Sequence, residues 1–443
     1  MSTTSLPTPL IGGEIHLDEG ASSHASASFG GRLRVLVCAY ACNPTQGSEE
    51  GVGWGWVKAI SEYHDLSVIT GEHHRSDIEA ELDSHQELRE RIRFYYIPLV
   101  RYPFVEALWP PSHLFVYRRW QREALAIARQ LQKQCRFDIA HQLTYVGFRV
   151  PGRLWTLGVP FVWGPIGGLE QTTWALLPSL GLMGCLHFAA RNLLNDCDRR
   201  FSTLPKRAFR AAEGGIIAAT SGVQLQIRRF YGRESIVISE VGLPTVALKV
   251  PARRPANAPL HLLWSGLHIP RKALPFLFEA LQTLPSNLQW KLTILGDGPC
   301  QAKWERLSQE RGLWGRCEWL GQVPRSIALA NMQQAHALVV TSVHDLTSTV
   351  VVEALANGLP VICPNHCGFK DAVNSSCGIL VSAFSRGLLI CGLTQAIEHL
   401  YDEDFRFLLA KGAIMQSQKY RWDTKARAVN DIYYAKSQPA STR

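Results

Sequence analysis

Two carboxylates, Asp345 and Glu353, bracket the start of a short apolar segment, TSTVVVEALANG, with seven residues between them. Asp345 falls in a polar loop that comes after the run HALVVTS, which ends at Ser342. The segment reads as a helix starting near Thr349, whose hydroxyl suits an N-cap. It stops at Asn357–Gly358, where glycine takes the left-handed cap conformation. Glu353 then lies about one turn inside it. Such a helix start offers free N–H groups and partial positive charge to an anion. Acids beside it suit a ligand that carries hydroxyl groups as well as phosphate. An ordinary strand–helix–strand unit with a surface Asp and a dipole-compensating Glu has the same spacing, so both readings stand.

The elements that would position these acids are strands of an α/β protein. Leu33 to Tyr40 is a near-continuous apolar run of the kind buried in a parallel sheet, and LSVIT, RIRFYYIPL, FDIAHQL, VPFVWG, GIIAAT and SIVISEVGL come after it. Helical patterns separate them, which gives a first α/β domain over 31–248. KVPARRPANAP reads as a linker, 249–257, and LHLLWSG opens a second α/β domain over 258–415. Residues 1–30, rich in Ser, Ala, Gly and Thr, read as a mobile tail. Residues 416–443 read as a helix returning to the first domain and then a tail. Ligands of open α/β sheets bind beyond the carboxyl ends of the strands.

Two further features fall on such an edge. Gly47, Gly51, Gly53 and Gly55 sit in the first strand-to-helix turn, either for close approach of backbone to a phosphate or for tight packing of the helix. Their spacing is not that of a dinucleotide fingerprint. His141 ends the strand FDIAHQL, as a ligand contact or as a structural histidine. VPFVWGPIGGLE repeats the strand-to-glycine-turn layout.

Composition limits the partners. With 46% hydrophobic and 19% charged residues the 443-residue chain is globular, and its net charge of +9 favours anionic ligands or surfaces without choosing one. No zinc finger or RNA-recognition signature supports nucleic acid. Eleven scattered cysteines without CxxC spacing point to free thiols in a reducing cytosol, and no metal cluster is visible. Neither a secretory signal nor a spanning helix is expected. Two basic stretches are candidates for touching an anionic membrane, or are faces packed and solvated in the usual way. One holds Trp109, Phe115, Tyr117 and Trp120 beside Arg118, Arg119 and Arg122; the other is Trp174 to Ala212. The expected location is cytoplasmic, with peripheral contact at the inner membrane face.

Several motifs in fixed order, GSEEGVGWGW, DIAH, SGLHIPRKAL, LTILGDGP, WLGQVP and DLTSTVVVEALANGLPVI, resemble the retaining glycosyltransferases of family 4 (glycosyl transferases group 1). The resemblance covers roughly Arg32 to Tyr434 and implies the GT-B fold, α/β with two facing Rossmann-like domains and a central cleft. It implies that Glu353 accepts hydrogen bonds from the ribose of a nucleotide-sugar. It also implies that the Asp345 loop, with the N–H groups of Thr347, Ser348 and Thr349, meets the donor sugar. Lys272 matches the lysine that neutralises the donor diphosphate. The partner arginine of that family is replaced by Leu267, with Arg271 as its substitute. Gly296, Asp297 and Val323 fall near the nucleotide, Gly51 and Gly53 near the diphosphate, and His141 near the donor sugar. The implied activity is retaining, metal-independent transfer of a sugar from a UDP- or GDP-linked donor to a hydroxyl acceptor. The implied acceptor is a lipid-linked glycan of a surface polysaccharide, and no cofactor is needed. A sugar-nucleotide epimerase or hydrolase of the same plan, or a non-catalytic sugar-nucleotide-binding protein, is the alternative.

Overall fold

The computed structural model describes residues 31–99, 111–244 and 252–438. The expected tail 1–30, Trp109 and the first residues of the expected linker lie outside them. Two parallel sheets organise the rest. The first contains β1 (Arg34–Ala39), β2 (Asp65–Gly71), β3 (Ile92–Ile97), β4 (Ile139–Thr144), β5 (Phe161–Ile166), β6 (Ile216–Ala218) and β7 (Ile236–Val237), in the order β3-β2-β1-β4-β5-β6-β7. The second contains β8 (Leu260–Ser265), β9 (Trp290–Leu295), β10 (Cys317–Gly321), β11 (Ala337–Val339), β12 (Val361–Pro364) and β13 (Gly378–Val381), in the order β10-β9-β8-β11-β12-β13. Both sheets therefore change direction of growth beside their first strand, between β1 and β4 and between β8 and β11. Crevices for ligands form at such points.

The continuous apolar runs became the central strands because both of their faces are covered: Val35 to Ala39 and Leu260 to Leu263 are buried throughout. Several boundaries depart from the expected ones. SIVISEVGL forms only a two-residue strand, because the chain turns away from the sheet before it reaches Glu240. Leu243 instead forms an isolated bridge with Arg421. The glycine-rich turn is not a loop: the helix begins at Ser48 and runs to Ser61, carrying Gly51, Gly53 and Gly55 within it. The helix that comes after β8 begins at Pro275, not at Lys272. Pro270–Lys272 is a separate tight turn, ended by Ala273 at φ +49°.

Each half of the chain contributes to the other's core. The C-terminal helix Trp422–Ser437 packs on the first sheet, with Val429, Ile432 and Tyr433 in the cluster around Val35, Trp56 and Ile139. In return, Leu176, Leu177, Leu180 and Phe188, from the segment between β5 and β6, join the second core with Leu274, Leu277 and Leu393. Of the first aromatic and basic stretch, Tyr117 and Trp120 are buried in their own domain, so helix packing rather than a membrane accounts for them. No helix among the described residues is long and apolar enough to cross a membrane.

Candidate functional site

At the crevice of the second sheet, the turn after β8 meets the loop after β11. Lys272 Nζ lies 2.5 Å from Asp345 Oδ2, and Arg271 Nη1 lies 3.4 Å from Asp345 Oδ1. Arg271 also donates to the His344 carbonyl at 3.0 Å. Arg271 and Lys272 share the carboxylate by reaching different oxygens of it, Oδ1 and Oδ2. Backbone bonds hold the two segments together. Val343 N–H donates to the Arg271 carbonyl at 2.8 Å. Thr341 Oγ1 donates to the Lys272 carbonyl at 2.6 Å and accepts from Trp264 Nε1 at 3.0 Å. Burial pushes the Asp345 carboxyl up, but Lys272 and Arg271 outweigh it and hold it below the usual carboxylate range. Leu267 is exposed and faces solvent where a second cation was sought.

The Thr349–Ala356 helix starts from Ser348, not Thr349. Ser348 is the extended residue at the cap, and no side chain caps the helix. Thr349 is already helical and exposed, so its hydroxyl is spent on solvent. Of the three N–H groups assigned to a donor sugar, that of Thr347 is taken: it donates to the buried Glu240 carboxylate at 2.9 Å. Glu353 is buried, and one of its oxygens, Oε1, is gripped by the Arg325 fork, Nε at 2.8 Å and Nη2 at 2.7 Å. Val323, two residues before Arg325, is half-buried in the same loop. Gly296 and Asp297 come directly after β9 on this edge. Gly296 has φ +106°, and a Cβ there would lie 2.1 Å from the Gly266 carbonyl oxygen, so the loop is locked to the turn after β8. The Asp297 carbonyl accepts from His268 N–H at 2.6 Å, closing the same contact.

The first sheet is less accommodating. His141 is fully buried, 2.7 Å from the Gly164 carbonyl through Nε2 and 2.5 Å from Tyr433 Oη through Nδ1. Nε2 must carry the proton to bond a carbonyl, so Nδ1 accepts from the tyrosine and neither nitrogen is free. Burial lowers its pKa to about 4, which keeps it neutral. The structure gives both ring nitrogens of His141 to the protein, where they pin the C-terminal helix, rather than to the crevice where a donor sugar was expected. Gly51 and Gly53 are also explained without a ligand. A Cβ at Gly51 would lie 2.4 Å from the Gln46 carbonyl, and one at Gly53 1.9 Å from that of Ala41, so both faces meet the preceding loop. A residue of that helix that does reach the edge is Glu49. It accepts from Val146 N–H at 3.2 Å, and burial, opposed by that bond and reinforced by Glu50, raises its pKa to about 7.

Lys272, Arg271, Asp345, Glu353, Gly296, Asp297, Val323, Ser348 and Thr349 therefore lie along one sheet edge, while His141, Gly51 and Gly53 are turned into the protein. Arg325, Glu240 and Glu49 went unread. The signal for Glu240 was an acid inside the apolar run SIVISEVGL, which must find a partner when buried. Arg325 was signalled by a base opening a helix just after a strand-edge loop. Among the described residues, no three His, Cys, Asp or Glu side chains converge to hold a metal ion.

Residues 255–399 match the family model for glycosyl transferases group 1. A glycogen synthase of Mycobacterium tuberculosis is 26% identical over 232 residues, 50% of this chain and 54% of that protein. The chain thus spans about half the length of the curated relatives it matches. Two solved structures share the fold. The lipopolysaccharide outer core galactosyltransferase WaaB superposes with a TM-score of 0.60 at 14% identity, covering 91% of this chain and 100% of that one. Anabaena Alr3699/HepE, solved in complex with UDP, gives a TM-score of 0.56 at 16% identity, covering 91% and 100%.

Proposed function

We propose that this chain, which carries a glycosyl transferases group 1 domain in residues 255–399 and the GT-B fold, transfers a sugar from a UDP- or GDP-linked donor to a hydroxyl acceptor with retention. The observation that carries the reading is the sharing of Asp345 by Lys272 and Arg271 at the crevice of the second sheet. Breaking a sugar–phosphate bond builds negative charge on the departing diphosphate. Two cations held 2.5 and 3.4 Å from one carboxylate are preorganised, and a diphosphate arriving there competes with Asp345 for both. Lys272 then stabilises the leaving group, with Arg271 in the role left open at Leu267. Glu353 offers its carboxylate to the ribose hydroxyls, and Arg325 holds that carboxylate in place. No protein nucleophile is assigned: a glycosidase would need two carboxylates flanking the scissile bond, and Glu353 is committed to the ribose. The leaving phosphate takes the acceptor proton on the face it departs from, which gives retention without a metal.

The complex of Alr3699/HepE with UDP supports a nucleotide-diphosphate donor, and the likeness to WaaB, a lipopolysaccharide outer core galactosyltransferase, supports a lipid-linked glycan acceptor. The exposed Leu267 favours a second reading, a protein that binds sugar-nucleotide without turning it over. Turnover of a panel of UDP- and GDP-sugars by the wild type, Lys272→Ala and Glu353→Ala separates them. The expected result is acceptor-dependent turnover that falls by about 10²–10³-fold in Lys272→Ala, with Glu353→Ala raising KM for the donor. Undiminished turnover in both folded variants sinks the site, and binding without turnover across the panel favours the second reading.

A further inference from the structure

Beside the Asp345 cluster lies a groove of about 1010 Å³ between the Gly181–Phe201 helix and the turn at Ile269–Arg271. Met183, Leu186, Phe188, Ile269 and Pro270 give it apolar walls, and Arg191, Arg271 and His344 give it polar groups. Among the described residues Arg191 has no anion. Its Nη1 is sealed from solvent without a hydrogen-bond partner among them, as is His344 Nδ1 in the same groove. The carboxylates on its own helix are taken, Asp196 by Arg199 and Asp198 by Arg149. Burial, with the like charges of Arg149 and Arg271, lowers the Arg191 guanidinium to about 10, so it remains a cation. A guanidinium shielded in this way is costly unless an anion joins it.

The helix that carries Arg191 is amphipathic in the inverted sense. Its buried face is Phe188, Asn192, Asn195 and Arg199, with the polar groups bonded to the backbone of Leu169, Thr172 and their neighbours. Its exposed face is Leu182, Met183, Leu186, Leu193, Leu194 and Phe201, between 57% and 79% exposed. At 100° per residue these six fall within an arc of about 120°. A stripe of this kind on a soluble surface marks a partner or a lipid. Met183 and Leu186 belong to both the stripe and the groove wall, so the stripe leads toward Arg191. Arg200, Lys206, Arg207 and Arg210 are exposed at and beyond its far end, a charge pattern that suits an anionic lipid surface.

We propose that this groove binds a lipid phosphate, the anion carried directly on a long hydrocarbon chain, with the phosphate on Arg191 and the chain along Met183 and Leu186. Naming that ligand as the sugar acceptor rests on the transferase reading; the site does not. The stripe brings the chain from the membrane surface, and Arg191 stops the phosphate beside Arg271 and the Lys272–Asp345 pair. The test is calorimetric titration of the full chain with dodecyl phosphate below its micelle-forming concentration, against inorganic phosphate and dodecyltrimethylammonium. Dodecyl phosphate is expected to bind at least tenfold tighter than either, and Arg191→Ala and Leu186→Asp each to lose at least tenfold. Leu186 is exposed, so its variant keeps the test decisive if Arg191→Ala fails to fold. Equal binding of inorganic phosphate, equal binding of the cationic surfactant, or variants that bind like the wild type each overturn the site. So does a stripe that serves only to pair two copies, seen as Leu186→Asp converting a dimer to a monomer with binding unchanged. Nucleotide-sugar turnover by the same samples is read separately. Its absence with lipid phosphate still bound at Arg191 sinks the transferase reading alone, and its presence with no dependence of binding on Arg191 sinks this site alone.

Discussion

Asp345 is one carboxylate divided between two cations, and Glu49 is a carboxylate with none among the described residues, which sets their protonation in opposite directions. Lys272 and Arg271 keep Asp345 ionised despite its burial, whereas burial raises Glu49 from 4.5 to about 7. The folded protein therefore holds a proton on Glu49 that the unfolded chain releases near 4.5. The stability this contributes is complete below that value and is lost as pH rises through about 7. Glu49→Gln keeps an oxygen for Val146 N–H and removes the titration. Its melting temperature is expected to match the wild type near pH 4.5 and to exceed it at pH 8, the gain being at most about 3 kcal/mol. Thermal melts at the two pH values check this, and an equal offset at both would show that Glu49 ionises as freely folded as unfolded. What could be read of these residues from the chain obeys the same division. Asp345, Lys272 and Glu353 stand in motifs whose order gives them away. Arg325 and Glu240 act through contacts with residues 28 and 107 positions distant, which no local pattern records.

Strands were legible because a parallel strand buried on both faces is apolar almost throughout, as Val35 to Ala39 are and Leu260 to Leu263 are apart from His261. Two helices were legible only in part. The first turns of the Ser48–Ser61 helix looked like a loop because its glycines are poor helix formers, but tertiary contact requires them: Gly53 lies against Ala41 and Gly55 against the Trp422 ring. Trp174 to Ala212 reads as helical and is so over Gly181–Phe201, but its buried face was hidden, since a polar buried face and an apolar exposed one invert the rule by which a face is assigned. Gly53→Ala tests the packing account. Alanine gains about 1 kcal/mol in helix propensity, but its Cβ would stand 1.9 Å from a backbone carbonyl that cannot swing aside. The clash, at about 1–3 kcal/mol or more, is expected to win. Urea unfolding should show the same loss with and without UDP, and unchanged stability with weakened nucleotide binding would instead return Gly53 to the ligand.

The halves of the molecule are tied by exchange, the C-terminal helix entering the first core and the Leu176–Phe188 segment entering the second. One polar cluster joins the connection leaving the first sheet, the Asp345 loop and the C-terminal helix. Glu240, on the connection leaving the first sheet, accepts from Thr347 in the Asp345 loop, and its backbone carbonyl accepts from Trp56 Nε1 at 3.0 Å. Lys425, on the C-terminal helix, donates to the Ser239 carbonyl and lies over the rings of Tyr420 and Trp56. Burial pushes Glu240 up and Lys425 down, and each charge partly restores the other. Removing Lys425 alone takes away the charge that partly restores Glu240 and leaves the Ser239 carbonyl without its donor, a cost of about 1–3 kcal/mol. Lys425→Met is therefore expected to be destabilising. Glu240→Gln, which keeps an acceptor for Thr347 N–H, should relieve part of that loss when combined with it. A double-mutant cycle by urea unfolding is expected to give a coupling of at least about 1 kcal/mol. Simple additivity would mean that the two charges do not sense each other across the interface. The Asp345 loop would then be held to Glu240 by the Thr347 hydrogen bond without help from Lys425.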